Sequence, residues 1–263
     1  MTNTKSISAA PEELVTFALD ATRKAGALTL RWFQQNKLKV STKTDGTPVT
    51  EADLAAEHCL RELIESRYPE DGIFGEEKGD TPGKSGNTWV IDPIDGTKAF
   101  VQGVPLYSTL LALVDQKGPL LGVIFLPALD ECVWAFRGQG AYWDDKLCQV
   151  SNRKSLKGGG FVCTSGFSYW PKNTLNSVRQ TGARIRSWGD AYGYALVATG
   201  RAEAMIDPEC APWDVAPVAV ILEEAGGRFS SVTGVDDWQN GSALGSNGFV
   251  HEELLECFSQ NTR

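Results

Sequence analysis

The chain has no run of about eighteen uninterrupted apolar residues, so no helical membrane span is expected. The opening stretch from Met1 to Pro11 is polar and lacks the apolar segment of a secretory signal. No Cys-x-x-Cys pair occurs, because Cys59, Cys132, Cys148, Cys163, Cys210 and Cys257 stand singly. They read as reduced structural thiols of a cytoplasmic protein, and a zinc site is not expected. Histidine is nearly missing too. With only His58 and His251, chemistry that depends on several histidines is excluded. His58 reads as a surface or packing residue of a helix, and His251 as a solvent-facing residue opening the last helix. There is no Lys/Arg-rich block and the net charge is −8, which argues against nucleic acid as the partner. A small phosphorylated substrate stays compatible with that charge, since a bound divalent cation inverts the field of an acidic pocket.

What is present is ample core material: 42% of the 263 residues are hydrophobic. That suits one large domain over residues 1–263, or two intimately packed subdomains of about 1–150 and 151–263. Leu14, Phe17, Ala18, Ala21, Ala25, Leu28 and Trp32 recur at helical steps within Glu12–Gln35. Lys37 to Val49 is a polar connector, with Asp45-Gly46 as a turn and Pro48 as a stop. Thr50 caps a second helix running to about Arg67, with Asp53 in its first turn. A short strand at Ile73–Glu77 is followed by a Gly/Lys/Pro/Ser segment to Asn87 that reads as a mobile loop. Leu106–Val114 and Leu120–Leu126 form a predicted hairpin, with further strands near Val133–Phe136 and Gly140–Trp143. The first half is thus two helices on a largely antiparallel sheet. From about Gly160 strands and helices alternate, an α/β pattern, with helices near Thr174–Thr181, Tyr192–Thr199, Val215–Glu224 and Glu252–Phe258.

The chemistry concentrates in Trp89-Val90-Ile91-Asp92-Pro93-Ile94-Asp95-Gly96-Thr97. An apolar strand ends in two carboxylates three residues apart, and the proline between them stops the strand and turns the backbone toward one spot. Two acids held this closely repel, and a hard divalent cation relieves that repulsion. An Asp-rich turn capping a helix is the other reading of these residues. Three more acidic signals accompany the run: Gly75-Glu76-Glu77 at a strand end, Asp53 at a helix start, and Asp214 in Pro212-Trp213-Asp214-Val215-Ala216-Pro217. Each alone reads equally as a surface acid or a helix cap.

Together, in this order and spacing, they resemble the inositol monophosphatase family of Mg2+-dependent, lithium-sensitive phosphatases. The matching elements are Gly75-Glu76-Glu77, Asp92-Pro93-Ile94-Asp95-Gly96-Thr97 and Trp213-Asp214-Val215-Ala216, with Val49–Asp53 upstream and Glu224–Gly227 downstream. The resemblance implies an α/β fold, a layered αβαβα sandwich with the site between its halves. It implies that Glu76, Asp92 and the carbonyl of Ile94 hold a first Mg2+. Asp92, Asp95 and Asp214 hold a second, and a weaker third ion shares Glu76; Mn2+ is an alternative metal. Asp53 and Thr97 resemble the pair that positions the attacking water, with Glu76 alongside them in catalysis. Gly96 and Thr97 present backbone N–H groups to the phosphate. A homodimer is what the family suggests. Haloacid-dehalogenase phosphatases also carry Asp-Gly-Thr but space their two acids differently, with one residue between them where Pro93 and Ile94 intervene here.

Beyond the metals the resemblance divides. Lys98-Ala99-Phe100 departs from the Thr-Asn-Phe of inositol-specific members and the Lys-Glu-Phe of the nucleotide-phosphate branch. The stretch Ser187–Ala195 with Asp207-Pro208 looks more like the histidinol-phosphate phosphatase branch. The expected reaction is hydrolysis of L-histidinol phosphate to L-histidinol and phosphate, with Asp190 or Asp207 or both attracting the ammonium or imidazole. Lys98 reads first as an exposed lysine, with steering of the anionic substrate as its other reading. As caps and turn residues, Asp190 and Asp207 have a purely structural alternative. Inositol-1-phosphate or broad sugar-phosphate hydrolysis is the other enzymatic reading, and a regulatory protein- or RNA-associated member of the fold is the reading from another class.

Overall fold

The computed structural model describes residues 11–35, 38–43 and 46–259. Asp45 of the expected turn, Lys37 and the polar residues 1–10 lie outside them. Among the described residues no helix is long and apolar enough to cross a membrane.

Two helices, α1 (Pro11–Thr29) and α2 (Glu51–Arg67), cover one face of an eight-stranded sheet. The buried stripe of α1 is Leu14, Ala18, Ala21 and Ala25, small enough to let the helix lie close to the strands. At Gly26 a Cβ would come within 2.6 Å of the Phe125 ring. The helix ends six residues short of the expected Gln35. Thr29 donates to Gly26 O at 2.6 Å and contacts the Tyr107 hydroxyl at 2.9 Å, and the following turn packs Trp32 and Phe33 against Phe100 and Tyr107. Packing of these rings overrides the helical periodicity.

The polar connector contains a small hairpin, β1 (Val40–Thr42) and β2 (Pro48–Thr50), as well as the Gly46 turn residue at φ 87°. The large sheet follows with β3 (Gly72–Gly75), β4 (Gly79–Thr81), β5 (Thr88–Asp95), β6 (Ser108–Asp115), β7 (Gly118–Leu126), β8 (Glu131–Phe136), β9 (Ala141–Trp143) and β10 (Lys146–Cys148). Its order is β10-β9-β8-β7-β6-β5-β3-β4, and only β3 and β5 run parallel. Part of the segment expected to be a mobile loop is therefore strand β4, paired with β3 through Gly75 and Gly79. The strand carrying the two acids does not stop at Pro93. Pairing of β5 with β6 jumps from Asp92↔Leu110 to Asp95↔Ser108, a bulge at which a residue without an N–H is tolerated. Thr109 Oγ1 donates to Pro93 O at 2.9 Å and holds the bulge in place.

After the five-residue α3 (Thr97–Val101), the second half of the chain builds a five-stranded mixed sheet. Its strands are β11 (Phe161–Cys163), β12 (Arg184–Arg186), β13 (Ala204–Asp207), β14 (Arg228–Ser230) and β15 (Ala243–Ser246), in the order β12-β11-β13-β15-β14. Helices α5 (Asp190–Ala198) and α6 (Pro212–Glu224) lie between the two sheets, apolar nearly all round and buried on both sides. Gly122 of β7 lets α6 approach closely, since a Cβ there would stand 2.3 Å from Pro217 O. Helices α4 (Thr174–Gln180) and α7 (His251–Ser259) cover the outer face of the small sheet. The layers are thus α1/α2, large sheet, α5/α6, small sheet, α4/α7, the expected αβαβα sandwich.

His251 does not face solvent. It is fully buried, with Nε2 at 2.9 Å from Ser230 Oγ and Nδ1 at 2.8 Å from Ser246 Oγ. These serines come from β14 and β15, which place two hydroxyls over the first turn of α7. His58 is exposed, with Glu62 one turn on at 3.4 Å.

Candidate active site

The carboxylates arrive from four elements. Asp92 and Asp95 flank the bulge of β5, Asp214 sits in the first turn of α6, Asp53 in the first turn of α2, and Glu76 follows β3. One carboxylate oxygen from each of Asp92, Asp95 and Asp214 lies within 4.8 Å of the others. Asp92 and Asp95 are buried, and among the described residues Asp92 Oδ1 has no hydrogen-bond partner. Burial pushes the Asp92 carboxyl well above the usual range, and the charges of Glu76, Asp95 and Asp214 push it further. Asp95 and Asp214 are raised likewise, burial first and neighbouring acids next, against the opposing N–H bonds from Ala191 and Ala211. An unpartnered buried oxygen amid mutually repelling carboxylates, with oxygen the only donor type, fits a hard divalent cation.

Three of the acids are oriented by hydrogen bonds to one carboxylate oxygen. Asp95 Oδ2 accepts from Ser108 Oγ at 2.8 Å and from the Ala191 N–H at 2.7 Å. Asp214 Oδ2 accepts from the Ala211 N–H at 2.8 Å. Asp53 Oδ2 accepts from the Thr50 N–H at 2.8 Å and from its hydroxyl at 2.5 Å, while Oδ1 lies 3.4 Å from Thr97 Oγ1. Burial raises Asp53 above its ordinary value and the Thr50 bonds oppose that. Thr97 donates to Ile94 O at 3.0 Å, so the carbonyl expected at the first metal faces the same hydroxyl.

Glu76 lines the same cleft as Asp92, and its charge helps to raise the Asp92 carboxyl. Its carboxylate is paired with Lys43 Nζ at 2.7 Å, and the same ammonium reaches Glu77 at 2.7 Å. Burial alone would lower Lys43, but these two bonds raise it instead. Glu77 is raised to about 7, chiefly by burial. Lys43 has no signal in the sequence, since it sits in a polar connector with ordinary composition.

Glu76, Asp92, Asp95 and Asp214 line a cleft of about 700 Å³ together with Ser165, Tyr169, Asp190, Tyr194, Asp207 and Glu209. Asp190 occupies φ 56°, a left-handed conformation uncommon for a non-glycine residue. Its carboxylate lies against Gly96, where a Cβ would stand 2.9 Å from Asp190 Oδ2; Gly96 itself has φ 81°. Asp207 is buried: Oδ1 accepts from Ser165 Oγ at 2.7 Å and Oδ2 from Tyr194 OH at 2.9 Å. Burial raises it to about 6. Lys98 lines the cleft on the β5 side. The metal, phosphate and substrate residues singled out in the sequence therefore lie around one cleft with Tyr194 of the Ser187–Ala195 stretch, while Ser165 and Glu209 join them without a motif to announce them.

A sequence model of the inositol monophosphatase family matches residues 10–263. The chain belongs to the inositol monophosphatase family. It is 45% identical to a histidinol-phosphatase of Chlorobaculum parvum, over 94% of this chain and 96% of the relative. It is 37% identical to a histidinol-phosphatase of Mycobacterium tuberculosis, over 90% and 95% of the two chains. A solved Thermotoga maritima IMPase superposes with a TM-score of 0.85 at 29% identity, covering 95% of this chain and 98% of that one. This member of the inositol monophosphatase family is an enzyme, a phosphatase, and the layered sandwich is that of its solved relatives.

Proposed function

We propose that this phosphatase hydrolyses L-histidinol phosphate to L-histidinol and phosphate, with Mg2+ as cofactor. The observation that carries the substrate is the second set of acids in the cleft, Asp190, Asp207 and Glu209, which line it together with Lys98. Histidinol phosphate has an anionic end and a cationic end, and the cleft has a place of suitable charge for each. The two histidinol-phosphatase relatives support the same choice. Asp207 has both oxygens engaged by Ser165 and Tyr194, so it contributes charge in a fixed orientation rather than a freely turning carboxylate.

Asp92, Asp95 and Asp214 would hold one ion, and Glu76 with Asp92 and the Ile94 carbonyl a second. Mg2+ suits all-oxygen donors. When bound it supplies positive charge that lowers the pKa of a water and offsets charge on the phosphate and leaving oxygens. The protein's own part is placement. Thr97 Oγ1, held by Ile94 O and close to Asp53, orients the attacking water. The N–H groups of Gly96 and Thr97 face the phosphate. No covalent phosphoenzyme is required, because phosphoryl transfer depends mainly on positioning and charge compensation. The six cysteines form no disulfide, which supports a reducing compartment such as the cytoplasm.

Steady-state phosphate release in Mg2+ tests the reading. We expect kcat/KM for histidinol phosphate to exceed that for inositol-1-phosphate by more than about tenfold, the separation that roughly 1.4 kcal/mol of differential binding gives. Equal or reversed values overturn the substrate assignment and leave the phosphatase.

A further inference from the structure

We infer that Glu57 and Arg61 of α2 are positioning residues for metal binding: a buried carboxylate–guanidinium pair that clamps the turn carrying Glu76. The inference rests on the reading of Glu76 as a metal ligand.

Glu57 is fully buried and Arg61 is 6% exposed, so both charges have left water, which is costly unless every polar atom finds a partner. Nearly all their partners lie in one place. Glu57 Oε2 accepts from the Glu77 N–H at 2.8 Å, and Oε1 accepts from the Lys78 N–H at 3.0 Å and from Arg61 Nε at 2.7 Å. Arg61 Nη1 donates to Thr81 Oγ1 at 3.0 Å and Nη2 to Gly79 O at 2.6 Å. The pair thus grips the β3–β4 turn from the residue after Glu76 through Thr81. On the opposite side the Glu76 N–H donates to Ile91 O at 3.2 Å, next to Asp92. The backbone of Glu76 is fixed from both directions, while Lys43 Nζ holds its carboxylate at 2.7 Å.

Gly75 supports this account. Its φ is not positive, so no turn conformation demands a glycine there. A Cβ at Gly75, however, would lie 2.7 Å from Glu57 Oε1 and 2.8 Å from Arg61 Nη2. The glycine that precedes the two glutamates is the space through which the clamp reaches the turn.

Glu57→Gln, Arg61→Lys and Glu76→Gln, each in the full chain, provide the test. Mg2+ binding is read by calorimetry on the metal-free protein, with the Mg2+ concentration for half-maximal activity, KM at saturating Mg2+ and the melting temperature in chelator read beside it. Glu57→Gln keeps the shape but turns an amide toward an N–H donor. Arg61→Lys keeps the charge, loses the fork to Gly79 and Thr81, and carries the test should Glu57→Gln not fold. We expect weakening of Mg2+ binding by about tenfold or more, the usual effect of removing a partner that orients a metal ligand. KM at saturating Mg2+ should stay within about twofold, since the clamp does not touch the phosphate ester. Unchanged Mg2+ affinity in both clamp variants, with affinity lost in Glu76→Gln, overturns the clamp alone. Unchanged affinity in Glu76→Gln overturns the ligand reading and the clamp together.

Discussion

Asp95 Oδ2 accepts the backbone N–H of Ala191 at 2.7 Å, so a carboxylate from the large sheet is held by the first turn of a helix built in the other half of the chain. Ser108 Oγ donates to the same oxygen. The acid centre is therefore not a property of either half. It exists only when β5, α5 and α6 are assembled.

Asp92→Asn removes the buried charge around which the other acids gather. Phosphate release in saturating Mg2+ should fall to background, and the variant should still fold. In chelator its melting temperature should exceed that of the parent, by about 2–4 °C for each kcal/mol of repulsion relieved. Retained turnover, or a lower melting temperature, contradicts the assignment of Asp92 to a cation site.

His251 makes stability sensitive to acid. Its pKa is lowered from 6.5 to about 4, first by burial and then by Arg228. The folded state thus resists a proton that the unfolded chain accepts, so this contribution is complete above about pH 6.5 and is lost as pH falls toward 4. The shift corresponds to about 3 kcal/mol across that window. Urea unfolding at pH 7 and pH 4.5 should show His251→Gln losing less stability on acidification than the parent, while an identical loss in both assigns the acid sensitivity elsewhere.

Asp207→Asn keeps the acceptor for one of its two hydroxyl donors and removes the charge. If Asp207 recognises a cationic substrate, kcat/KM for histidinol phosphate should fall by about tenfold, close to one charge-assisted hydrogen bond of roughly 1.5 kcal/mol. A phosphate monoester of an uncharged alcohol should lose much less. Equal losses on both substrates make Asp207 a support for Ser165 and Tyr194 only.

Gly96→Ala places a Cβ at a left-handed position and against Asp190 Oδ2. Backbone strain alone costs about 1 kcal/mol, and the displaced Asp190 adds to it. Thermal denaturation should show a loss of that order, with KM for the phosphate ester raised. A variant as stable and as tightly binding as the parent shows that the Asp190–Gly96 contact is dispensable.

The acids of the site were legible because each sits in a short run whose neighbours are informative: a strand end, a proline, a helix cap. The αβαβα layering itself came from the family resemblance those runs carry. The rest depends on distant pairings. Pro93 reads as a strand breaker until the bulge opposite Leu110 and Ser108 is seen to excuse its missing N–H. His251 reads as a solvent-facing helix start because its two serine partners come from other strands. Glu57 and Arg61 did leave a trace. Spaced four apart, they share the buried face of α2 with Asp53, Ala56, Leu60 and Ile64, and two opposite charges on an apolar face call for buried partners.

Gly122 bears on the site from β7, a strand that carries none of its acids. It lets the backbone of α6 rest almost directly on β7, with a Cβ position only 2.3 Å from Pro217 O. One turn earlier the same helix carries Asp214, while Asp92 belongs to the sheet beneath. The gap between those two acids is therefore gauged by main chain against main chain, a contact that no rotamer can adjust. Any side chain at residue 122 would act as a shim under one leg of a tripod, tilting Asp214 away from its companions without touching a single carboxylate.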